Sequence, residues 1–286
     1  MAAIEHLSRI PVPAAVSNEI ITNAIDASGL ASLVNVQVAP NSDTVQTYDL
    51  TYARAKFHNP VNEQKTPSDL DAKLVEVKMY PIYQIYKVHD DDELGAQQVI
   101  AQMQRDLPKV LANTLQQAVF PVNGLVEGNP WVGSAGFGLY SSTVFDTTVE
   151  EDLTKASGWL DATNVKGYSG MLLSDATKDM LQGALVEGSN TNLLTFGVGD
   201  GTLVRGKPVY FSDLDDTPAT TVAGIAGDWS KAVLFVDNSL QLQRVDGSTD
   251  YELMLDDAVA YRLKWRVGFG VADEKYFKVF KHKASE

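Results

Sequence analysis

Residues 227–246 read GDWSKAVLFVDNSLQLQRVD. Trp229 precedes two apolar runs of period two, and Asp237-Asn238-Ser239 lies between them. Alternation of this kind marks strands, and an Asp-Asn-Ser cluster marks a turn. The stretch therefore reads as a hairpin, with Val233, Leu234, Phe235, Leu240 and Leu242 available for burial and Trp229 as a packing anchor. It holds no pair of groups placed to perform chemistry, so its purpose must be sought in the segments around it.

Downstream, AVAYRLKWRVGFGVADEKYFKVFKH gives two more strand patterns joined around ADEK. Upstream, from about Thr143, helices and strands alternate: VEEDLTKASGWLDAT, YSGMLLS, DATKDMLQGALVEG and KPVYFSD. This is the pattern of a mixed α/β domain reaching to Leu255. Before it stands DDELGAQQVIAQMQRDLPKVLANTLQQAVF, where Ala96, Val99, Ile100, Met103, Leu107, Val110, Leu111, Thr114, Leu115 and Ala118 recur at three and four. It predicts one long helix, capped by Asp90, Asp91, Asp92 and Glu93, with either a kink at Pro108 or a missing hydrogen bond there that the surroundings tolerate. NGLVEGNPWVGSAGFGLY after it is a Gly-rich connector.

From Thr44 to Val88 the period is two again, in VQTYDLTYARAKF and KLVEVKMYPIYQIYKV, with HNPVNEQKTPSDLDA between. That predicts a long hairpin with arms of about 13 residues reaching roughly 40 Å, and a ribbon that long is marginal in water alone. Something must cover it. Residues 1 to 43 hold a prolyl start and a short helical pattern in VSNEIITNAIDASGLASL, and read as an arm with little core of its own.

The 286 residues are 44% hydrophobic, enough for real cores. No apolar run approaches the roughly 20 residues that span a bilayer, and the start MAAIEHLSRIPVP lacks the flank and core of a signal peptide, so a soluble, cytosol-made chain is expected. There is no cysteine, which removes disulfides, thiolate nucleophiles and cysteine metal sites. The histidines, His6, His58, His89 and His282, are not spaced as ligand pairs. The net charge of -14 opposes any broad phosphate-binding face. The clearest basic segment, Lys275, Lys278, Lys281 and Lys283, reads as a strand edge.

Sites for chemistry are hard to find. GVGDGT at 197–202 resembles a phosphate loop, but TLVRGKPVYF after it is strand-like where such a loop opens a helix. There is no GxSxG elbow. His89 beside Asp90 reads as a capping or packing residue, and Asp215/Asp216 and Asp256/Asp257 as solvated turns. Trp131, Trp159, Trp229 and Trp265 are scattered, which favours packing over base stacking. No catalytic, cofactor-binding or metal-binding residue is assigned.

The order of arm, long hairpin, long helix, α/β domain and returning strands resembles the major capsid proteins of tailed bacteriophages, the family of the Hong Kong 97 phage capsid fold. KMYPIYQIYKVHDDDELGA resembles the passage from the extended loop into the spine helix, and AVFPVNGLVEGNPWVGSAGFG the segment closing that helix. GKPVYFSDLDD resembles an axial-domain strand. GDWSKAVLFVDNSLQLQRVD followed by DDAVAYRLKWRVGFGVADEKYFKVFK resembles the family's glycine-acid-aromatic turn, hairpin and return into the peripheral domain.

The resemblance implies an α+β fold with an N-terminal arm at 1–43, an extended loop at 44–88, a peripheral domain with its spine helix at 89–142, an axial domain at 143–255 and peripheral return strands at 256–286. It also implies hexamers and pentamers closing into an icosahedral shell around double-stranded DNA, with the extended loop over a neighbouring subunit. That loop carries the expected intersubunit contacts, Arg54, Lys56, Glu63, Lys65, Asp69, Lys73 and Lys78. A separate scaffold, a portal and decoration proteins are the implied partners, with no membrane and no cofactor. The virion is the implied location, after synthesis in the host bacterial cytoplasm. Some relatives cross-link a loop lysine to an asparagine of another subunit. Lys65 lies near the tip, but no asparagine and assisting acid match here, so no such chemistry is assigned. Within the same fold the alternative is an encapsulin-like compartment, which neighbouring portal and terminase genes, or a cargo enzyme, would distinguish. An α/β hydrolase or transferase would need a pocket of convergent groups.

Overall fold

The computed structural model describes residues 14–40, 42–51, 71–89, 96–120, 149–184, 195–196, 202–214, 218–245, 251–271 and 274–283. In chain order these form α1 (Ala14–Ala27), α2 (Gly29–Leu33), β1 (Asn35–Val38), β2 (Thr44–Thr51), β3 (Asp71–Lys78), β4 (Tyr80–His89) and α3 (Ala96–Val119). They continue with β5 (Val149–Glu151), α4 (Ala156–Ala162), β6 (Gly170–Ser174), α5 (Lys178–Gly183), β7 (Thr195–Phe196), β8 (Thr202–Val204) and β9 (Lys207–Ser212). The last are β10 (Gly224–Gly227), β11 (Ala232–Val236), β12 (Gln241–Val245), α6 (Tyr251–Leu255), β13 (Ala258–Val271) and β14 (Phe277–His282).

The 14-residue β13 organises the first sheet. Along one edge it pairs antiparallel with β4, Tyr80 opposite Val267 through His89 opposite Ala258. Along the other edge it takes β11 and then β12, both antiparallel to it, and β1 extends β11 in parallel. The expected hairpin at 232–245 is therefore corrected: β11 and β12 run in the same direction, one behind the other. Val236 lies opposite Val267 and Gln241 opposite Lys264, so four residues of one edge span two of the other, a bulge without reversal. The Asp237 carboxylate accepts from the Ser239 amide at 3.1 Å and its hydroxyl at 3.0 Å. Trp265 donates its indole N–H to the Asp237 carbonyl at 2.9 Å, and the Leu240 amide donates to Ser17 Oγ at 2.9 Å. Asp237 and Ser239 make the local contacts of a turn, and pairing with β13 makes the chain sidestep instead of reversing.

The second sheet has the order β5-β14-β10-β6-β9-β8-β7. β8 and β9 meet through Arg205 and Gly206, both at positive φ (53° and 71°), the conformation of a tight two-residue hairpin. Of the strands on either side of Leu255, β11, β12 and β13 belong to the first sheet, and β10 and β14 to the second.

One face of the first sheet is the core face. Leu263, Trp265, Val267 and Phe269 of β13 share a buried cluster with Leu107, Leu111 and Leu115 of α3 and Ile20, Ile21 and Ala24 of α1. The segment expected as an arm packs on this body: the stripe Ser17, Ile20, Ile21 and Ala24 is buried and β1 adds a strand to the sheet. α3 runs unbroken through Pro108; Val110, assigned to its apolar face by periodicity, is exposed. Buried Gln116 ties α3 to its surroundings once its side-chain O and N are assigned by their partners: the amide then donates to the Phe211 carbonyl at 3.2 Å and the oxygen accepts from the Gly29 amide at 2.8 Å. A second cluster, with Trp159, Met171, Leu173, Leu181, Val209 and Phe280, fills the second sheet. Trp229 sits where the chain passes between sheets, donating to the Gly170 carbonyl at 3.0 Å and meeting Phe277 edge-on at 5.3 Å.

Candidate functional site

β2 and β3 form a two-stranded sheet of their own, in register from Thr44 opposite Lys78 to Thr51 opposite Asp71. Eight residues per arm span about 26 Å. The period-two run 73–88, read as one arm, is split: at Met79 the chain leaves β3, and β4 joins the first sheet. The Met79 amide donates to the Asp43 carbonyl at 2.9 Å, closing the base, and Arg266 of β13 pairs with the Asp43 carboxylate. Gly268 lets the base approach, since a Cβ there would lie 2.8 Å from Met79 Sδ and 3.0 Å from the Lys78 carbonyl.

Of the residues the sequence assigns to intersubunit contact, Lys73 and Lys78 lie in β3, opposite Asp49 and Thr44, and Lys78 is exposed. Arg54, Lys56, Glu63, Lys65 and Asp69 lie outside the described residues, as do Asp90 to Glu93, Trp131 and most of GVGDGT.

The other face of the first sheet is one that sequence reasoning missed. Pro81, Tyr83, Ile85 and Lys87 of β4 point the same way as their partners Arg266, Lys264, Arg262 and Ala260 of β13. Tyr83 is 63% exposed and Ile85 52%. Arg262 binds Gln243, and Lys87 pairs with Asp256. The signal was present in RLKWR, whose alternate residues are cationic, but the strand partner that places Tyr83 and Ile85 beside them is 180 residues upstream in register.

The C-terminal lysines are partly consumed within the second sheet. Lys278 meets Glu151 at 2.7 Å and the Asp161 carbonyl at 2.8 Å, and Lys281 meets Glu150 at 2.7 Å, which lowers the Glu150 pKa. His282 Nδ1 accepts from the Leu153 amide at 3.2 Å. Burial raises the Tyr168 pKa, and its hydroxyl has no hydrogen-bond partner among the described residues. Among the described residues no group of three or more His, Cys, Asp or Glu could hold a metal, and no helix is long and apolar enough to cross a membrane.

Among the described residues the ribbon pairs with no other strand, and one face of the first sheet carries exposed Tyr83 and Ile85. The model of the phage capsid family matches residues 9–282, and the chain belongs to that family. Solved structures share the fold. A chain from Mycobacterium phage Adephagia is 17% identical, with 91% of each chain covered and a TM-score of 0.60. One from Microbacterium phage Oxtober96 is 17% identical, covering 99% of this chain and 96% of that one, at 0.58. One from Gordonia phage Cozz is 19% identical, covering 90% of this chain and 87% of that one, at 0.57. Among curated proteins no match is found. The fold is the α+β capsid fold of the Hong Kong 97 type, and the chain is a phage major capsid protein, a structural component of an icosahedral virion shell. The encapsulin-like alternative is not favoured.

Proposed function

We propose that the chain forms hexamers and pentamers that close around the double-stranded DNA of a tailed phage, and that the β2–β3 hairpin is the main contact between neighbours in a ring. The supporting observation is the hairpin itself: two strands that, among the described residues, join no other sheet and are held to the body at their base. Such a ribbon is marginal alone, and a neighbouring subunit supplies its missing face. Arg54, Lys56, Glu63, Lys65, Asp69, Lys73 and Lys78 carry mixed charge suited to that contact. In this reading the first sheet with α1 and α3 is the peripheral domain and the second sheet the axial domain.

DNA is confined by the closed wall with no sequence-specific contact, consistent with the net charge of -14. A separate scaffold, a portal and decoration proteins complete assembly, and synthesis takes place in the host bacterial cytoplasm. The chain performs no turnover and needs no metal or organic cofactor; a stoichiometric tightly bound metal, or turnover lost by one point substitution in a pocket, refutes this. Replacing residues 52–70 by a short turn tests the hairpin's role. The expected protein has unchanged circular dichroism and no sedimenting particles, whereas particles of normal yield and heat resistance overturn the reading.

A further inference from the structure

α6 has no buried residue among its five. Its apolar side chains, Tyr251, Met254 and Leu255, recur at three and four and so lie on one face, yet they are 69%, 52% and 63% exposed. A single helical turn does not persist by propensity alone. Acidic groups surround the stripe: Glu252 within the helix, then Asp256, which pairs with Lys87 of its own subunit, and the exposed Asp257. The open face of the first sheet is its chemical complement, with Tyr83 and Ile85 exposed beside Arg262, Lys264 and Arg266. Lys264 meets no carboxylate among the described residues.

Resting on the reading of the chain as a shell subunit, we propose that α6 of one copy docks on this open face of a second copy. Tyr251, Met254 and Leu255 pack against Tyr83 and Ile85, and the acidic flank of α6 lies beside Lys264 and Arg262. Within one subunit α6 leaves Tyr83 and Ile85 exposed. Asp256, just after the helix, reaches its own Lys87, which is four residues (about 13 Å) along β4 from Tyr83. Helix and face are different patches of one subunit, so each copy offers one of each and the contact can repeat around a closed assembly. Opposite charge at the margin sets register and partner choice, while the apolar stripe supplies burial.

The chain has no cysteine, so introduced thiols report without background. Met254→Cys and Tyr83→Cys proteins, each exposed at the substituted position, are mixed, assembled and mildly oxidised. The expected result is more disulfide-linked dimer from the mixture than from either variant alone. No excess over the single variants, or Met254→Cys cross-linking to itself as strongly, overturns the proposal. Hydroxyl-radical footprinting of unsubstituted subunits and shells gives a second reading that needs no variant to fold. Tyr83, Tyr251 and Met254 should all lose reactivity several-fold in shells. Unchanged reactivity at either patch, in a sample whose shells sediment normally, overturns this contact and leaves the shell reading standing; if no shell sediments, both fall.

Discussion

Trp265 is fully buried on β13, and its one polar atom reaches the carbonyl of Asp237 in the bulge between β11 and β12. Trp265→Phe keeps most of the ring and leaves that carbonyl without its partner. A loss of about 1–3 kcal/mol is expected by chemical denaturation, and a variant as stable as the parent would remove the indole from the account. Gly268 acts at the hairpin base, where an added Cβ meets the Lys78 backbone and Met79 Sδ. Gly268→Ala should cost about 1–3 kcal/mol and reduce particle yield, read by denaturation and sedimentation. Asp152, in the turn between β5 and α4, is held near a pKa of about 2, against an ordinary 3.8, by hydrogen bonds from Thr154 and then Lys155. Because the folded pKa is depressed, its contribution is complete above 3.8 and fades as pH falls toward 2. Acid titrations of Asp152→Asn and the parent should therefore differ above that window and converge within it; a constant offset down to pH 2 would contradict the assignment.

At the scale of elements, α1 is as much part of the core as α3. Ser17→Ala leaves the buried Leu240 amide unpaired, at about 1–3 kcal/mol, and removal of residues 1–27 uncovers Leu107, Leu111 and Leu115. The truncated protein should lose cooperative thermal unfolding, measured by circular dichroism; an unchanged transition would show that α1 adds nothing to the core. These elements also show what can be read without coordinates. α3 was legible because 24 residues carry one repeating stripe, and β13 because its alternation is long. The break at Met79 was not, because β3 and β4 alternate in phase with their own partners and the sequence does not record that the partner changes from β2 to β13. The bulge at 237–240 was misread for the same reason: an Asp-Asn-Ser turn looks alike locally whether the chain reverses or sidesteps. The open face needed pairing across 180 residues, and no local pattern could place Tyr83 beside Lys264.

For the whole molecule, the large buried cores and the uncovered faces divide the work between folding and assembly. The first sheet gives one face to α1 and α3 and leaves the other open, and the hairpin extends from its margin. A monomeric protein gains nothing from such surfaces, whereas a shell subunit gains specific contacts that form only among copies. Electron cryo-microscopy tests this most directly, on particles sedimented from cells producing the chain with the assembly genes of its own genome. The predicted result is closed shells whose walls are rings of five and six copies of this 31.1 kDa chain, each with the hairpin laid on a neighbour. Walls made by another protein, with this chain recovered as a free monomer, would contradict it.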